Sequence, residues 1–236
     1  MALRFILFDL DGTLLPMDQD QFIHAYFSRL SARLETYDYD PKRLVKTIWK
    51  GTAAMVANDG QKTNEAVFWD CFANEYGQRV RLDEPLFDAF YREEFHLVQQ
   101  VCGFVAAAPL TVQKLRAEGY TVALATNPIF PAIATESRIR WAGLRPWDFQ
   151  LYTTYENCHF CKPNPDYYRE VLKKLGAEAE ECLMVGNDVE EDMIAATLGM
   201  KVFLLTDCLI NKQGKDINQF PHGSFDALWE YIHTLV

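Results

Sequence analysis

A strand that ends on two acids constrains this chain more than any other feature. Phe5-Ile6-Leu7-Phe8 is a continuous apolar run, and Asp9, Leu10 and Asp11 follow it before Gly12-Thr13. A short run with no polar alternation predicts a strand covered on both faces, as in a parallel sheet. Asp-x-Asp-Gly-Thr is then a sharp polar exit, with a glycine that tolerates an unusual turn. The two carboxylates therefore stand at the carboxyl end of a buried strand, the edge where open α/β sheets bind ligands. Like charges two positions apart repel, and a bound divalent cation would relieve the repulsion. A solvated loop is the plainer alternative. An EF-hand loop fits poorly, because Gly12 falls at its fourth position instead of the sixth.

Beyond that strand the pattern changes twice. Between Asp18 and Val101 apolar residues recur at helical spacing. Phe22, Tyr26, Leu30 and Leu34 mark a helix that Asp18 or Asp20 could cap, and Leu44, Ile48 and Trp49 mark another after Pro41. Val67, Trp69, Phe72 and Tyr76 mark a third, closed by Gly77, and Phe87, Phe90, Tyr91 and Phe95 a fourth, with Asp83 and Pro85 near its start. Four tandem helices predict a small bundle. From Pro109 onward, helices (109–118, 129–142, 165–175, 190–198, 225–235) alternate with strands (120–125, a weaker 149–153, 182–185, 201–205), and 206–223 is a polar loop. This predicts an α/β fold, a doubly wound, Rossmann-like parallel sheet. The expected organisation is an α/β core of residues 1–14 and 105–236, with a helical bundle, 15–104, inserted after the first strand.

Composition narrows the function. The 236 residues are 49% hydrophobic, ample for a core, and carry a net charge of −10 with no basic tract. That argues against a nucleic-acid partner or an anionic membrane. No apolar run reaches the roughly 18 residues of a membrane span. Asp9 and Asp11 interrupt the N-terminal apolar stretch, so it does not read as a signal peptide. The six cysteines are scattered, which fits reduced thiols and a cytoplasmic location. Cys158-His159-Phe160-Cys161 has the spacing of half a zinc site, but no second pair matches it.

Three later segments supply phosphate chemistry. Strand 120–125 ends in Thr126-Asn127-Pro128, whose hydroxyl and amide can bond phosphate oxygens, although Asn-Pro is also an ordinary turn. Lys162, in Cys161-Lys162-Pro163-Asn164-Pro165, can neutralise a nucleophile and a transferring phosphoryl group; an isolated lysine is more often solvated. Gly186-Asn187-Asp188-Val189-Glu190-Glu191-Asp192 carries more acids than capping a helix requires.

Asp9-Leu10-Asp11-Gly12-Thr13 resembles the first motif of the haloacid dehalogenase superfamily of hydrolases, and the three later segments resemble its second, third and fourth motifs in order. The resemblance covers the whole chain. It implies that Asp9 is a nucleophile and Asp11 a general acid/base. It implies a magnesium ion held by Asp9, the Asp11 main chain and an acid of the fourth motif. Thr126, Asn127 and Lys162 would hold the phosphoryl oxygens, Asp192 would orient Lys162 or a metal-bound water, and the helical insert would be a cap. The family pattern is Gly-Asp with a second Asp four or five residues on, so Asn187 leaves two registers. Either Asp188 is the ligand and Asn187 an insertion, or Asn187 binds through its carbonyl; magnesium's preference for carboxylates favours Asp188.

The implied activity is a magnesium-dependent phosphatase that hydrolyses a small phosphomonoester through an aspartyl-phosphate. A phosphomutase, a phosphonate hydrolase with a reactive cap lysine, and a non-catalytic metal- or phosphate-binding protein are the alternatives. Dehalogenation is disfavoured, since family members acting on carbon lack the second Asp. The insert does not name a substrate. Trp49, Trp69, Tyr91 and Phe95 read as bundle core, and Lys42, Lys46, Lys50 and Lys62 as solvated; any one of these lysines, Lys50 beside Gly51-Thr52 for example, could reach a ligand, and the sequence does not choose among them.

Overall fold

The computed structural model describes residues 2–235. Its centre is β1 (Phe5–Phe8), buried at every position as the unbroken apolar run requires. β2 (Thr121–Leu124) and β3 (Cys182–Gly186) flank it, and β4 (Lys201–Leu205) and the short β5 (His222–Gly223) extend the sheet. The order is β2-β1-β3-β4-β5, and every pair is parallel.

Strand periodicity sorts the two faces. Ile6 and Phe8 join Val122, Leu124, Leu183 and Val185 in one apolar cluster, while Phe5 and Leu7 join Ala123, Met184 and Leu204 in another. The second cluster is covered by Tyr167, Tyr168 and Val171 of helix 165–175. The first continues without a break into the inserted helices. Truncating Phe8 would therefore cost about 3–5 kcal/mol. Because β1 lies between β2 and β3, the winding reverses beside it, and the crevice of a doubly wound sheet opens at its carboxyl end.

Four α-helices follow β1: α1 (Gln19–Glu35), α2 (Pro41–Val56), α3 (Asn64–Tyr76) and α4 (Glu84–Glu93). Asp18, Asp40 and Thr63 cap the first three through side-chain oxygens, with Pro41 opening α2 where a missing N–H costs nothing. Phe95 lies past α4, in a 3-10 turn from Phe95 to Val101. The two connections to the sheet meet: Gly103 N donates to Pro16 O at 2.7 Å, and Met17 bridges Cys102. The alternating half then supplies α5 (Ala107–Ala117), α6 (Ala132–Trp141), α7 (Pro165–Leu175) and α8 (Phe225–Thr234).

Three expectations need correction. Segment 149–153 runs beside β2 with backbone bonds through Gln150 N, Leu151 O and Thr153 N but forms only an isolated bridge, Tyr152 to Leu124, not a full strand, and the Thr153 hydroxyl turns to the Thr126 carbonyl. Segment 190–198 is a 3-10 helix only over Met193–Leu198, because the residues before it form a turn closed by the Glu190 and Glu191 amides on Asp188 Oδ1. The polar loop contains β5, a two-residue edge strand too short for any periodic signal.

Candidate active site

Asp9 follows β1 directly, and its amide continues the ladder by donating to Val185 O at 2.9 Å. The side chain is buried. Oδ1 accepts from Lys162 Nζ at 3.0 Å and Oδ2 from the Thr13 hydroxyl at 3.2 Å. Gly12 turns the chain at φ +84°, and a Cβ there would collide with the Asn187 amide, so only glycine fits on both counts.

Lys162 reaches this point from the loop before α7 and is 1% exposed. Its ammonium is shared between Asp9 and Asp192 Oδ1, the latter at 2.6 Å. Burial alone would lower its pKa, but the Asp192 and Asp9 charges outweigh burial and hold it well above the ordinary lysine value. Burial likewise raises Asp192, against the pull of Lys162. Gly186 lets Asp192 pack against the end of β3, where any Cβ would meet its carboxylate. Asp192 Oδ2 also accepts from Asp188 N at 3.0 Å.

Asp11 points the other way. Oδ2 is paired with the guanidinium of Arg138, a residue 1% exposed on α6 that also lies 4.5 Å over the Phe130 ring. The other oxygen, Oδ1, is buried with no partner. Burial pushes this carboxyl up to about 6, with Arg138 opposing and the Asp9 charge adding to the rise.

In the fourth segment the two candidate ligands take different places. Asn187 is 2% exposed, accepts the Thr13 hydroxyl on Oδ1 at 3.0 Å and donates from Nδ2 to Cys208 O at 2.7 Å. One hydroxyl thus touches both Asp9 and Asn187. Asp188, expected to be the ligand, lines the cavity and accepts on Oδ1 from the amides of Glu190 and Glu191, at 2.8 and 2.9 Å, which shapes the turn. Asn187 is linked to Asp9 through the Thr13 hydroxyl.

Thr126 is buried at the end of β2, its carbonyl held by the hydroxyls of Thr153 and Tyr167, at 2.6 and 2.9 Å. Asn127 bridges two other segments: Nδ2 donates to Glu191 Oε2 at 3.0 Å, and Oδ1 accepts from Lys162 N at 3.3 Å. Burial pushes Glu191 up to about 7. A cavity of about 200 Å³ opens over this floor, reached by Asp9, Asp11, Thr126, Asn127, Asn187 and Asp188. Its opposite wall comes from α1 to α4. Cys158 and Cys161 are buried away from any metal set, and His159 is paired with Glu170 at 2.8 Å. Among the described residues no cluster of three His, Cys, Asp or Glu side chains is placed to hold an ion.

The model of the haloacid dehalogenase-like hydrolases matches residues 3–198. The chain belongs to that family. As a family hydrolase it resembles a phosphoglycolate phosphatase of Colwellia psychrerythraea, 26% identical over 98% of this chain and 96% of the relative. It also resembles a pyrophosphatase of Bacillus mycoides, 25% identical over 85% of this chain and 82% of the relative. Among solved structures, a 2-haloacid dehalogenase from Pseudomonas syringae covers 99% of this chain and 100% of its own, with a TM-score of 0.66 and 20% identity. That last likeness speaks to the fold alone.

Sequence reasoning brought Asp9, Asp11, Thr126, Asn127, Lys162, Asn187, Asp188 and Asp192 to one crevice, and the structure gathers all of them there. It passed over Thr13, Glu191 and Arg138. Arg138 left a trace, a cation on the same stripe of α6 as the buried Ala134 and Trp141. Lys50, named as a possible substrate contact, pairs with Glu75 instead. No described helix is long and apolar enough to cross a membrane.

Proposed function

We propose that this family hydrolase is a magnesium-dependent phosphomonoesterase, that Asp9 is its nucleophile, and that the inserted helices are its cap. The observation that carries the reading is the division of labour between the two aspartates. Asp9 is held by Lys162 and Thr13, facing the cavity as a fixed carboxylate. Asp11 is drawn aside by Arg138, with one buried oxygen unclaimed.

The donors beside Asp9 suit a hard cation. One carboxylate, the amide oxygen of Asn187 and the Asp11 main-chain carbonyl are all oxygen ligands, and magnesium commonly takes only one or two carboxylates, completing its shell with water and phosphate. Asn187 therefore replaces Asp188 in the inferred ligand set. When bound, the ion would neutralise phosphoryl charge and align oxygens.

The protein's own groups do the rest. Asp9 attacks phosphorus in line, the ester P–O bond breaks, and an aspartyl-phosphate forms. Asp11 Oδ1 gives its proton to the departing alkoxide, then takes one from the water that attacks the phosphorus of the intermediate, returning Asp9 and releasing phosphate. Lys162 offsets charge on Asp9 and on the phosphoryl oxygens, and Asp192 aims it. Thr126 and Asn127 hold the oxygens opposite. The likeness to relatives named as phosphatases supports this assignment. A phosphonate hydrolase would need an amine in the cavity, and among the described residues no lysine lines it.

The test is hydrolysis of a generic aryl phosphate with magnesium, with a chelator, and by Asp9→Asn. Magnesium-dependent turnover that falls in the variant to about 10⁻⁴ of wild type or less is expected. Turnover unaffected by the substitution would overturn the nucleophile assignment.

A further inference from the structure

We infer that the leaving group this enzyme accepts is a bulky, apolar, aromatic alcohol with no second anionic group. The inference rests on the phosphomonoesterase reading and goes on to name its substrate class.

The wall opposite the catalytic floor is aromatic. Ten aromatic side chains line the cavity, eight of them from α1 to α4. Several are tilted against one another and do not stack flat. Phe27 meets Trp49 at 5.5 Å and 56°, and Phe68 meets Trp69 at 5.4 Å and 85°. Five of the eight, Phe22, Tyr26, Trp69, Phe87 and Tyr91, are buried in the bundle core and form the back of the wall. The other three stand forward of it: Phe27 and Phe68 are only half-buried, and Trp49 is 47% exposed. Apolar surface left uncovered beside a reactive carboxylate is surface that a ligand covers. One water needs roughly 10–15 Å³ of such space, so a cavity of about 200 Å³ has room for much more than a phosphoryl group.

Charge makes the same point. A substrate with a second anionic group, such as a carboxylate or another phosphate, needs a cation to receive it, because a buried unpaired charge is strongly disfavoured. Among the described residues no lysine or arginine lines the cavity. The two cations behind its floor are committed, Lys162 to Asp9 and Asp192, Arg138 to Asp11. Several basic residues of the insert pair with carboxylates elsewhere, Lys50 with Glu75, Lys62 with Asp70 at 2.8 Å, and Arg33 with Glu93 at 2.9 Å, and the others do not line the cavity. Among the described residues the one acidic side chain on the aromatic wall is Asp88, exposed at the rim and 3.8 Å from Arg92. Its sign repels a second anion. The remaining polar atoms are mostly hydroxyls, and those of Tyr26 and Tyr91 bond each other at 2.8 Å.

The experiment compares kcat/KM of the intact enzyme with magnesium for 2-naphthyl phosphate, phosphoglycolate, pyrophosphate and phosphocholine. The naphthyl ester is expected to lead each anionic compound by about 100-fold or more. Trp49→Lys is expected to shrink that ratio by about tenfold or more, as it removes a ring and adds a cation. Equal or better turnover of phosphoglycolate or pyrophosphate overturns the inference and leaves the phosphatase reading standing. A preference for phosphocholine overturns it in favour of an aromatic cage for a cation. Binding of a non-hydrolysable naphthylmethyl phosphonate, read by quenching of tryptophan fluorescence, separates the remaining failures. Tight binding that Trp49→Ala weakens, with no ester turned over, sinks the hydrolase reading alone. Absence of binding sinks the leaving-group inference.

Discussion

The floor and the roof of one cavity are built on opposite principles. The floor is polar and over-determined: Asp9, Thr13, Lys162, Asp192, Asn127 and Asn187 come from four separate segments, and each holds another by hydrogen bonds of 2.6 to 3.3 Å. The roof is aromatic, with rings packed at angles and almost no directional bonds. A floor of this kind fixes a reaction, since displacing one member leaves a buried charge unpaired. A roof of this kind fixes a shape, and shapes change by one substitution without disturbing the chemistry beneath. Floor substitutions should therefore lower kcat for every ester alike, whereas roof substitutions should reorder the esters.

The largest break falls at Lys162. Lys162→Met leaves Asp9 and Asp192 facing each other unpaired, and should lower kcat by about 10²–10³-fold. Urea unfolding should show a loss of about 3–5 kcal/mol. The neighbouring pair Asn187 and Asp188 sharpens the inferred ion register. Asn187→Ala should raise the magnesium concentration for half-maximal rate by about 10–100-fold. Asp188→Ala should cost about 1 kcal/mol of stability through the lost amide contacts and move the magnesium requirement far less. The reverse ranking would restore Asp188 as the ligand.

These residues also show what was legible beforehand. β1 and its acid pair could be read because an unbroken apolar run has few uses outside a covered sheet, and α7 because Pro165 and Gly176 bracket it. Asp9 and Lys162 could be read because their chemistry is local to short motifs, although they lie 153 residues apart. Three things were not legible. Which of Asn187 and Asp188 the turn aims at Thr13 is a matter of backbone geometry. Arg138 serves Asp11 across 127 residues, and only its place on an apolar stripe hinted at it. Trp49 shares the spacing of bundle core with Trp69, which is buried there, yet is 47% exposed, and helical period cannot separate a ring facing a core from a ring facing a cavity.

Smaller effects probe the roof and the rim of the floor. A Cβ at Gly51 on α2 would lie 2.6 Å from the Phe68 ring. Gly51→Ala should push that ring into the cavity and raise KM for a naphthyl ester by about tenfold, with kcat for methyl phosphate changing by less than about twofold. A parallel fall of kcat for both esters would show that roof and floor are not separable. At the floor's edge, Glu170 accepts from His159 N at 2.9 Å and lies 3.0 Å from Lys174, steadying the loop that carries Lys162. Burial would raise its carboxyl, but the His159 and Lys174 contacts win and hold it below its ordinary 4.5. A depressed folded pKa stabilises above the unfolded value, so this contribution should be fully present above pH 4.5 and fade as the pH falls through the folded value. Glu170→Gln should cost about 1 kcal/mol at pH 7 and almost nothing in strong acid, as urea titrations at the two pH values would show.

Asp9, of all the acids on the floor, is the one proposed to carry the phosphoryl group. The direct measurement is to quench the enzyme during turnover of an aryl phosphate, reduce with borohydride, and map the peptides by mass. An aspartyl-phosphate reduced this way becomes homoserine. The account predicts homoserine at position 9 alone, absent without substrate. Homoserine at Asp11 or Asp192, or brisk turnover with no acyl-phosphate trapped at any acid, would contradict it.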